Sequence, residues 1–352
     1  MDQKTERPFG AITHAEGLRI GLKYINDRRK GRIKSLRTPW DAINNATIGG
    51  IEWGSLVTIG ARPAAGKTMF ISHILRESKR LNPDQDFSIL EFQFEMGDES
   101  YAAREYAAQV AMDYNVVLSS KRQLDDFAYE QMENYLKDAE ELEKLGVQRV
   151  RIKKPLTAAD MKKAIHLYFN QLGGKPMIVT IDHSWLVKKA ADEREKLQTL
   201  YNIADMLIDV KRDLPVIIII LTQLNRTMED VSRRTPGTIA NYPSSSDIFG
   251  GDALMQGSDL VLAISRPFTL NIEDYGPEHY RADKENVFLH LLKLRNGATD
   301  ENIIFLQTDF KRQRMIECGP PPVVQQQQQQ TWAPRGPRTN RQAPSADVGQ
   351  EL

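Results

Sequence analysis

The stretch GARPAAGKT, residues 60–68, constrains this chain more than any other. It stands between an apolar run, SLVTI, and a helix-forming run, MFISHILRESKR. A strand feeding a tight turn that opens a helix aims several backbone N–H groups, and the positive end of the helix dipole, at one point in space. That is a phosphate-binding loop. The expected nucleotide-binding residues are Ala61, Arg62, Pro63, Ala64, Ala65, Gly66, Lys67 and Thr68, with Lys67 reaching the β- and γ-phosphates and Thr68 ligating Mg²⁺. Ala61 occupies the position usually given to the first glycine, with Gly60 just before it. A relaxed version of the pattern arises by chance in roughly a few per cent of chains of this length, so the flanking strand and helix supply much of its weight.

The rest of the chain repeats that layout. Short β-rich runs at 56–59, 88–94, 177–181, 216–221, 260–265, 287–294 and 303–307 alternate with helical patterns at 67–80, 101–114, 124–145, 158–171 and 193–212. Such alternation predicts an α/β fold with a mainly parallel twisted sheet flanked by helices. Runs such as VIIIIL suit strands buried on both faces. Ahead of this body, Leu18, Leu22 and Ile25 make one apolar stripe on a short helix, followed by a basic, glycine-broken linker at 28–37. The polar segment 225–247 is long for a structureless connection and predicts function or mobility. After Gly319, PPP, six consecutive glutamines and a Pro/Arg/Ser mixture predict a disordered tail. The expected organisation is an arm and linker helix at 1–37, an ATPase domain at 38–318 and a tail at 319–352.

Composition removes several alternatives. The longest aliphatic run, 216–221, falls far short of the roughly 20 residues that cross a bilayer, and the polar start has no signal-peptide character. No membrane partner and a cytoplasmic location are expected. Cys318 is the single cysteine, which rules out an internal disulfide or a cysteine-rich metal site. The 47 Lys plus Arg equal the 47 Asp plus Glu, so polyanion binding must come from local geometry.

Three strand ends follow the loop in order. ILEFQFEM leads Glu95 out beside the expected phosphate crevice, where a carboxylate could orient and deprotonate an attacking water. MIVTID ends in Asp182, placed to hold Mg²⁺ directly or through water. VIIIILTQLNR ends in Gln223, which could sense the γ-phosphate and pass its state to the loop behind it. Each signal is weak alone, because polar residues at strand ends are common; their order after the loop gives them weight. His183 reads as packing or capping, since no second His or Cys stands at ligand spacing.

ARPAAGKT, FEM, the Asp182 strand, LTQLNR and KLRNG at 293–297, in this order, resemble the motor domain of the DnaB-type replicative helicases, which are hexameric RecA-like ATPases. The resemblance spans roughly residues 15–315. It implies an ATP-hydrolysing DNA helicase with Glu95 as catalytic base, Asp182 as the magnesium carboxylate and Gln223 as sensor. Lys293 and Arg295 would reach the neighbouring subunit's γ-phosphate, so catalysis would need a ring. Single-stranded DNA is the implied partner, with a primase or loader possible. The family's DNA loop corresponds to DIFGGDALMQGSD, in which Phe249, Gly250 and Gly251 stand where side-chain phosphate contacts are expected. Backbone N–H groups of the glycines could replace them, and Phe249 could stack on a base or pack on a neighbour. Only about fifty residues precede the loop, enough for a linker helix that docks on the adjacent subunit and not for the family's helical collar. The alternative is a RecA-like DNA-binding ATPase acting as a recombination mediator or regulatory module without unwinding.

Overall fold

The computed structural model describes residues 10–146, 149–191, 193–297 and 303–324. Its frame is a nine-stranded sheet. At its centre β1 (Leu56–Ala61) lies parallel to β5 (Val216–Gln223) on one side and β6 (Leu260–Ser265) on the other. Beyond β5 come β4 (Met177–Asp182), β2 (Ser88–Gln93) and the edge strand β3 (Arg149–Ile152), all parallel. Beyond β6, antiparallel pairings add β9 (Asn286–Leu294), β10 (Ile303–Asp309) and β11 (Arg314–Glu317).

The aliphatic run of β5 shows why the sheet needs cover on both faces. Ile217, Ile219 and Leu221 join one core cluster, Val216, Ile218 and Ile220 the other, and all six are fully buried. Each such side chain contributes at most about 1.5–3 kcal/mol of burial free energy. The first cluster is closed by α2 (Asp41–Ala46) and α3 (Lys67–Leu81), where Trp40 stacks on Phe70 at 4.0 Å and donates its indole N–H to the Met315 carbonyl at 2.9 Å. The second is closed by α7 (Ala158–Gln171), α8 (Lys196–Asp213) and the short α9 (Gly251–Gly257).

The helix expected at 101–114 is interrupted. α4 (Asp98–Gln109) stops before Ala111, whose φ is 53°, and Asp113 then caps the short α5 (Tyr114–Val117) by accepting from the Asn115 N–H. α6 (Asp126–Lys144) follows. Helices α2 and α9, strands β3 and β11, and a small hairpin of β7 (Asp274–Tyr275) and β8 (Tyr280–Arg281) were not among the expected elements. The segment at 225–247 is not structureless either. It folds into short 3-10 turns around Arg233, whose guanidinium pairs with both Asp247 carboxylate oxygens at 3.0 Å and donates to the Tyr242 carbonyl.

Both ends of the expected domain shift slightly. Leu36, in the expected linker, is fully buried and bridges to Ile51. At the other end Val323, in the expected tail, bridges to Tyr280, and the Val324 N–H donates to the His279 carbonyl. The remainder of the expected tail, 325–352, lies outside the described residues. α1 (His14–Arg29) carries the predicted stripe with a capping box at Thr13 and buries none of its residues.

Candidate nucleotide site and its surroundings

Strand order sets the site. β1 is flanked by β5 rather than β2, so a crevice opens at the carboxyl ends of the strands where the order switches. Register places Ala61 opposite Gln223 and Gln93 opposite Asp182. The phosphate-binding loop therefore leaves the sheet beside the three predicted strand ends.

The loop is shaped by two left-handed residues, Ala64 at φ 61° and Gly66 at φ 97°. Gly66 has a second constraint, since a Cβ there would lie 2.5 Å from Met315 Cε. The start of β11, just past the β10–β11 turn, thus packs directly beneath the loop. Arg76 of α3 holds that turn by donating to the Gln313 and Arg312 carbonyls. Gly60 is fixed by packing alone, because a Cβ would meet Ile248 Cδ1 at 2.4 Å.

A cleft of about 670 Å³ opens over the loop, lined by Pro63, Ala64, Gly66, Lys67 and Thr68 and, on the strand-end side, by Glu95, His183 and Gln223. Ala61, Arg62 and Ala65 are not on its wall. The Arg62 guanidinium turns away to the Leu224 carbonyl at 2.8 Å and to Glu229. Burial lowers the Lys67 pKa, opposed by the nearby Asp182 and Glu95 carboxylates, and its ammonium rests on the Ala61 carbonyl at 3.3 Å. The far end of the cleft carries Arg266 over the Phe310 ring, 4.9 Å from its centroid, and Gln313.

Asp182 lies behind Thr68 and is 3% exposed. Its Oδ2 accepts from the Thr68 hydroxyl at 3.1 Å and from the Gln93 amide at 3.2 Å, while Oδ1 is buried with no hydrogen-bond partner. Burial pushes its pKa up. A buried carboxylate oxygen left without a donor, next to a threonine hydroxyl, fits a hard divalent cation completed by phosphate and water oxygens. No group of three or more His, Cys, Asp or Glu gathers as a metal site among the described residues. Gln93 is a residue the sequence reading missed: it bridges Asp182 to the Glu95 N–H, which donates to Gln93 Oε1 at 3.1 Å. It closes β2, one residue before Phe94, where the sequence reading ended the strand.

His183 serves as a cap. Its Nδ1 accepts from the Trp185 N–H at 3.3 Å, burial lowers its pKa, and its Nε2 lies 3.9 Å from Glu95 Oε2. Glu95 itself is half exposed at the cleft.

Lys293 and Arg295 stand elsewhere. Lys293 pairs with Val261, which is level with Thr58 near the start of β1, so both cations lie at the opposite end of the sheet from Lys67. Lys293 donates to the Met255 and Gln256 carbonyls, and Arg295 pairs with Asp259 at 3.0 Å. Phe249 packs its ring on the second core cluster and edge-on to Trp185, while its N–H donates to the Gln223 carbonyl. Gly250, at φ 69°, and Gly251 open α9. Among the described residues no helix is long and apolar enough to cross a membrane.

Against known proteins, the family model of the DnaB-like helicase C terminal domain matches residues 35–314. The replicative DNA helicase DnaB of Helicobacter pylori (strain ATCC 700392 / 26695) is 28% identical over 249 residues, which is 69% of this chain and 46% of that protein. DnaB of Haemophilus influenzae is 23% identical over 229 residues, 64% of this chain and 46% of that protein. The chain thus spans about half the length of the curated relatives it matches. Among solved structures, an isolated ATPase domain superposes with a TM-score of 0.70 at 17% identity, covering 88% of this chain and all of that one. A DnaB-like replicative helicase studied for its interactions with primase superposes at 0.68 and 18% identity, over 87% of this chain and 67% of that one. These two likenesses show the RecA-like DnaB ATPase fold.

Proposed function

Because this chain belongs to the DnaB-like helicase C-terminal domain family, we propose that it is the NTP-hydrolysing motor of a replicative DNA helicase, working as a hexameric ring on single-stranded DNA. The observation that carries the reading is the division of its charged groups between two ends of one sheet. Lys67, Thr68, Glu95 and Gln223 meet at one cleft, and Lys293 and Arg295 stand at the far end, where Lys293 rests on the Met255 and Gln256 carbonyls and the exposed Arg295 pairs with Asp259. A head-to-tail neighbour bringing its far end to this cleft completes the site, and such contacts make a ring where the rotation between neighbours closes.

In this reading Lys67 and the loop N–H groups bind the phosphates, and the base lies toward Arg266 and Phe310. Thr68 and Asp182 would hold Mg²⁺, which when bound neutralises charge on the phosphate oxygens. Glu95 accepts the proton of the attacking water, and Gln93 holds both carboxylate-bearing segments in register. Gln223 reads the γ-phosphate and is tied through its carbonyl to Phe249, so hydrolysis at the cleft is transmitted to the Phe249–Gly250–Gly251 turn on the DNA side. Lys293 and Arg295 stabilise transition-state charge from the neighbouring subunit. The exposed stripe of α1 docks on an adjacent subunit. A primase or loader would bind the outer surface of the ring.

The test is steady-state ATP hydrolysis with and without single-stranded DNA, alongside solution mass with Mg²⁺ and nucleotide. Stimulated hydrolysis by a ring, followed by unwinding of a forked duplex, is expected. Hydrolysis indifferent to DNA, or no ring at any nucleotide concentration, overturns the motor reading in favour of a mediator or regulatory ATPase.

A further inference from the structure

Trp185 lies one turn beyond β4, in the 3-10 turn Ser184–Leu186, and is 45% exposed. Its backbone N–H is held by His183, and its ring meets the Phe249 ring edge-on, with centroids 5.0 Å apart and an interplanar angle of 81°. Of these two aromatics Phe249 is the one packed into the core. Phe249 thus braces Trp185 from the side. Lys196 Nζ stands 5.5 Å from the Trp185 centroid and donates to the Val187 carbonyl at 2.5 Å.

The chain that follows is arranged with its cations outward. Lys188, Lys189 and Arg194 are exposed, and no ion pair holds any of them among the described residues. Glu193 is turned inward: 4% exposed, it accepts from the Thr199 hydroxyl at 2.6 Å, the Asn202 amide at 2.6 Å and the Ala190 N–H at 2.9 Å. Glu195 stays exposed at the start of α8. A braced indole bordered by cations that pair with no carboxylate among the described residues matches a single-stranded polyanion whose bases are free to stack, whereas a duplex hides them.

We propose that Trp185 is a base-stacking residue for single-stranded DNA, with Lys188, Lys189 and Arg194 contacting the phosphates beside it. This assignment rests on the motor reading above and moves the aromatic contact from Phe249, which is the brace, to Trp185. Since the indole turn starts at His183, at the mouth of the nucleotide cleft, the stacked base lies one turn of chain from the catalytic groups.

The experiment is anisotropy of a fluorescein-labelled oligo-thymidylate titrated with the full chain, Mg²⁺ and a non-hydrolysable ATP analogue, for wild type, Trp185→Ala and Trp185→Phe. Sedimentation in the same buffer reports the assembly. Loss of one base stack weakens binding about tenfold, so Trp185→Ala should bind about tenfold more weakly at unchanged assembly mass, and Trp185→Phe should recover most of the loss. Trp185→Ala binding as tightly as wild type overturns the proposal and leaves the motor reading standing. Loss of the assembled species in Trp185→Ala also overturns it, since the indole would then be a contact between copies of this chain. A wild type with no single-strand affinity overturns the motor reading and this assignment together.

Discussion

Asp182 presents one buried oxygen with no donor and a second held by Thr68 and Gln93. A cation at this corner depends on the second oxygen being held, because an unrestrained carboxylate rotates and loses the geometry magnesium demands. Gln93→Leu removes the amide while keeping the strand apolar. A hydrogen bond to a charged group contributes about 1.5–3 kcal/mol, so the Mg²⁺ concentration for half-maximal hydrolysis should rise about tenfold, with a smaller fall in kcat at saturating Mg²⁺. An unchanged Mg²⁺ requirement would remove Gln93 from the positioning role. Asp182 and Gln223 were legible in the sequence because each ends an apolar run and a parallel strand delivers its last residue to the crevice, and Glu95 because it follows the end of β2 by two residues. Gln93 was not, because its importance depends on register with a strand some ninety residues away. The turn of Arg62 away from the cleft was equally hidden, since Glu229 and the Leu224 carbonyl are brought to it only by the fold.

Helix α1 is a complete helix whose stripe stays exposed among the described residues: Leu18, Leu22 and Ile25 are each more than 60% exposed, and contacts with the body come near its end, where Tyr24 and Arg28 meet Glu52. Covering three aliphatic side chains is worth roughly 1.5–3 kcal/mol each, enough to favour a docked arrangement between copies. Deleting residues 1–30 should shift the protein toward smaller species in sedimentation, and an undiminished ring would show that the stripe holds nothing. Elements with strong periodicity, among them α3, α7 and the buried strands, were readable within a residue or two. β3 was unreadable because RVRI is half exposed and basic, and it is a strand by virtue of pairing with β2 at the sheet edge. The helix predicted across 101–114 broke where the Asp113 side chain supplied a competing cap.

At the scale of the whole molecule, two buried histidines make stability depend on pH, and in the proposed ring two distant cations would make activity depend on assembly. Burial lowers the pKa of His73 to about 4 and of His290 to about 3. Both are neutral in the folded protein near pH 6, whereas in the unfolded chain they take up protons below about 6.5. The unfolded state binds more protons in that window, so stability is lost as pH falls from about 6.5 toward 4, by up to about 1.4 kcal/mol per unit per group. His73→Gln should flatten that slope in calorimetric scans; an unaltered slope would place the acid sensitivity elsewhere. Activity follows a different logic. Lys67→Ala removes the phosphate contact but keeps Arg295, and Arg295→Ala keeps the whole cleft but removes the far-end cation. Alone, each should lose at least about a hundredfold in kcat, with nucleotide binding retained only by Arg295→Ala. Mixed in equal amounts, subunits assembling at random create an intact interface at about a quarter of positions, where an Arg295→Ala subunit supplies Lys67 and its Lys67→Ala neighbour supplies Arg295. Hydrolysis should therefore reappear on mixing, with a bell-shaped dependence on the mixing ratio. If every mixture stays as inactive as its components, Arg295 does not act across an interface, and its pairing with Asp259 is then its whole role.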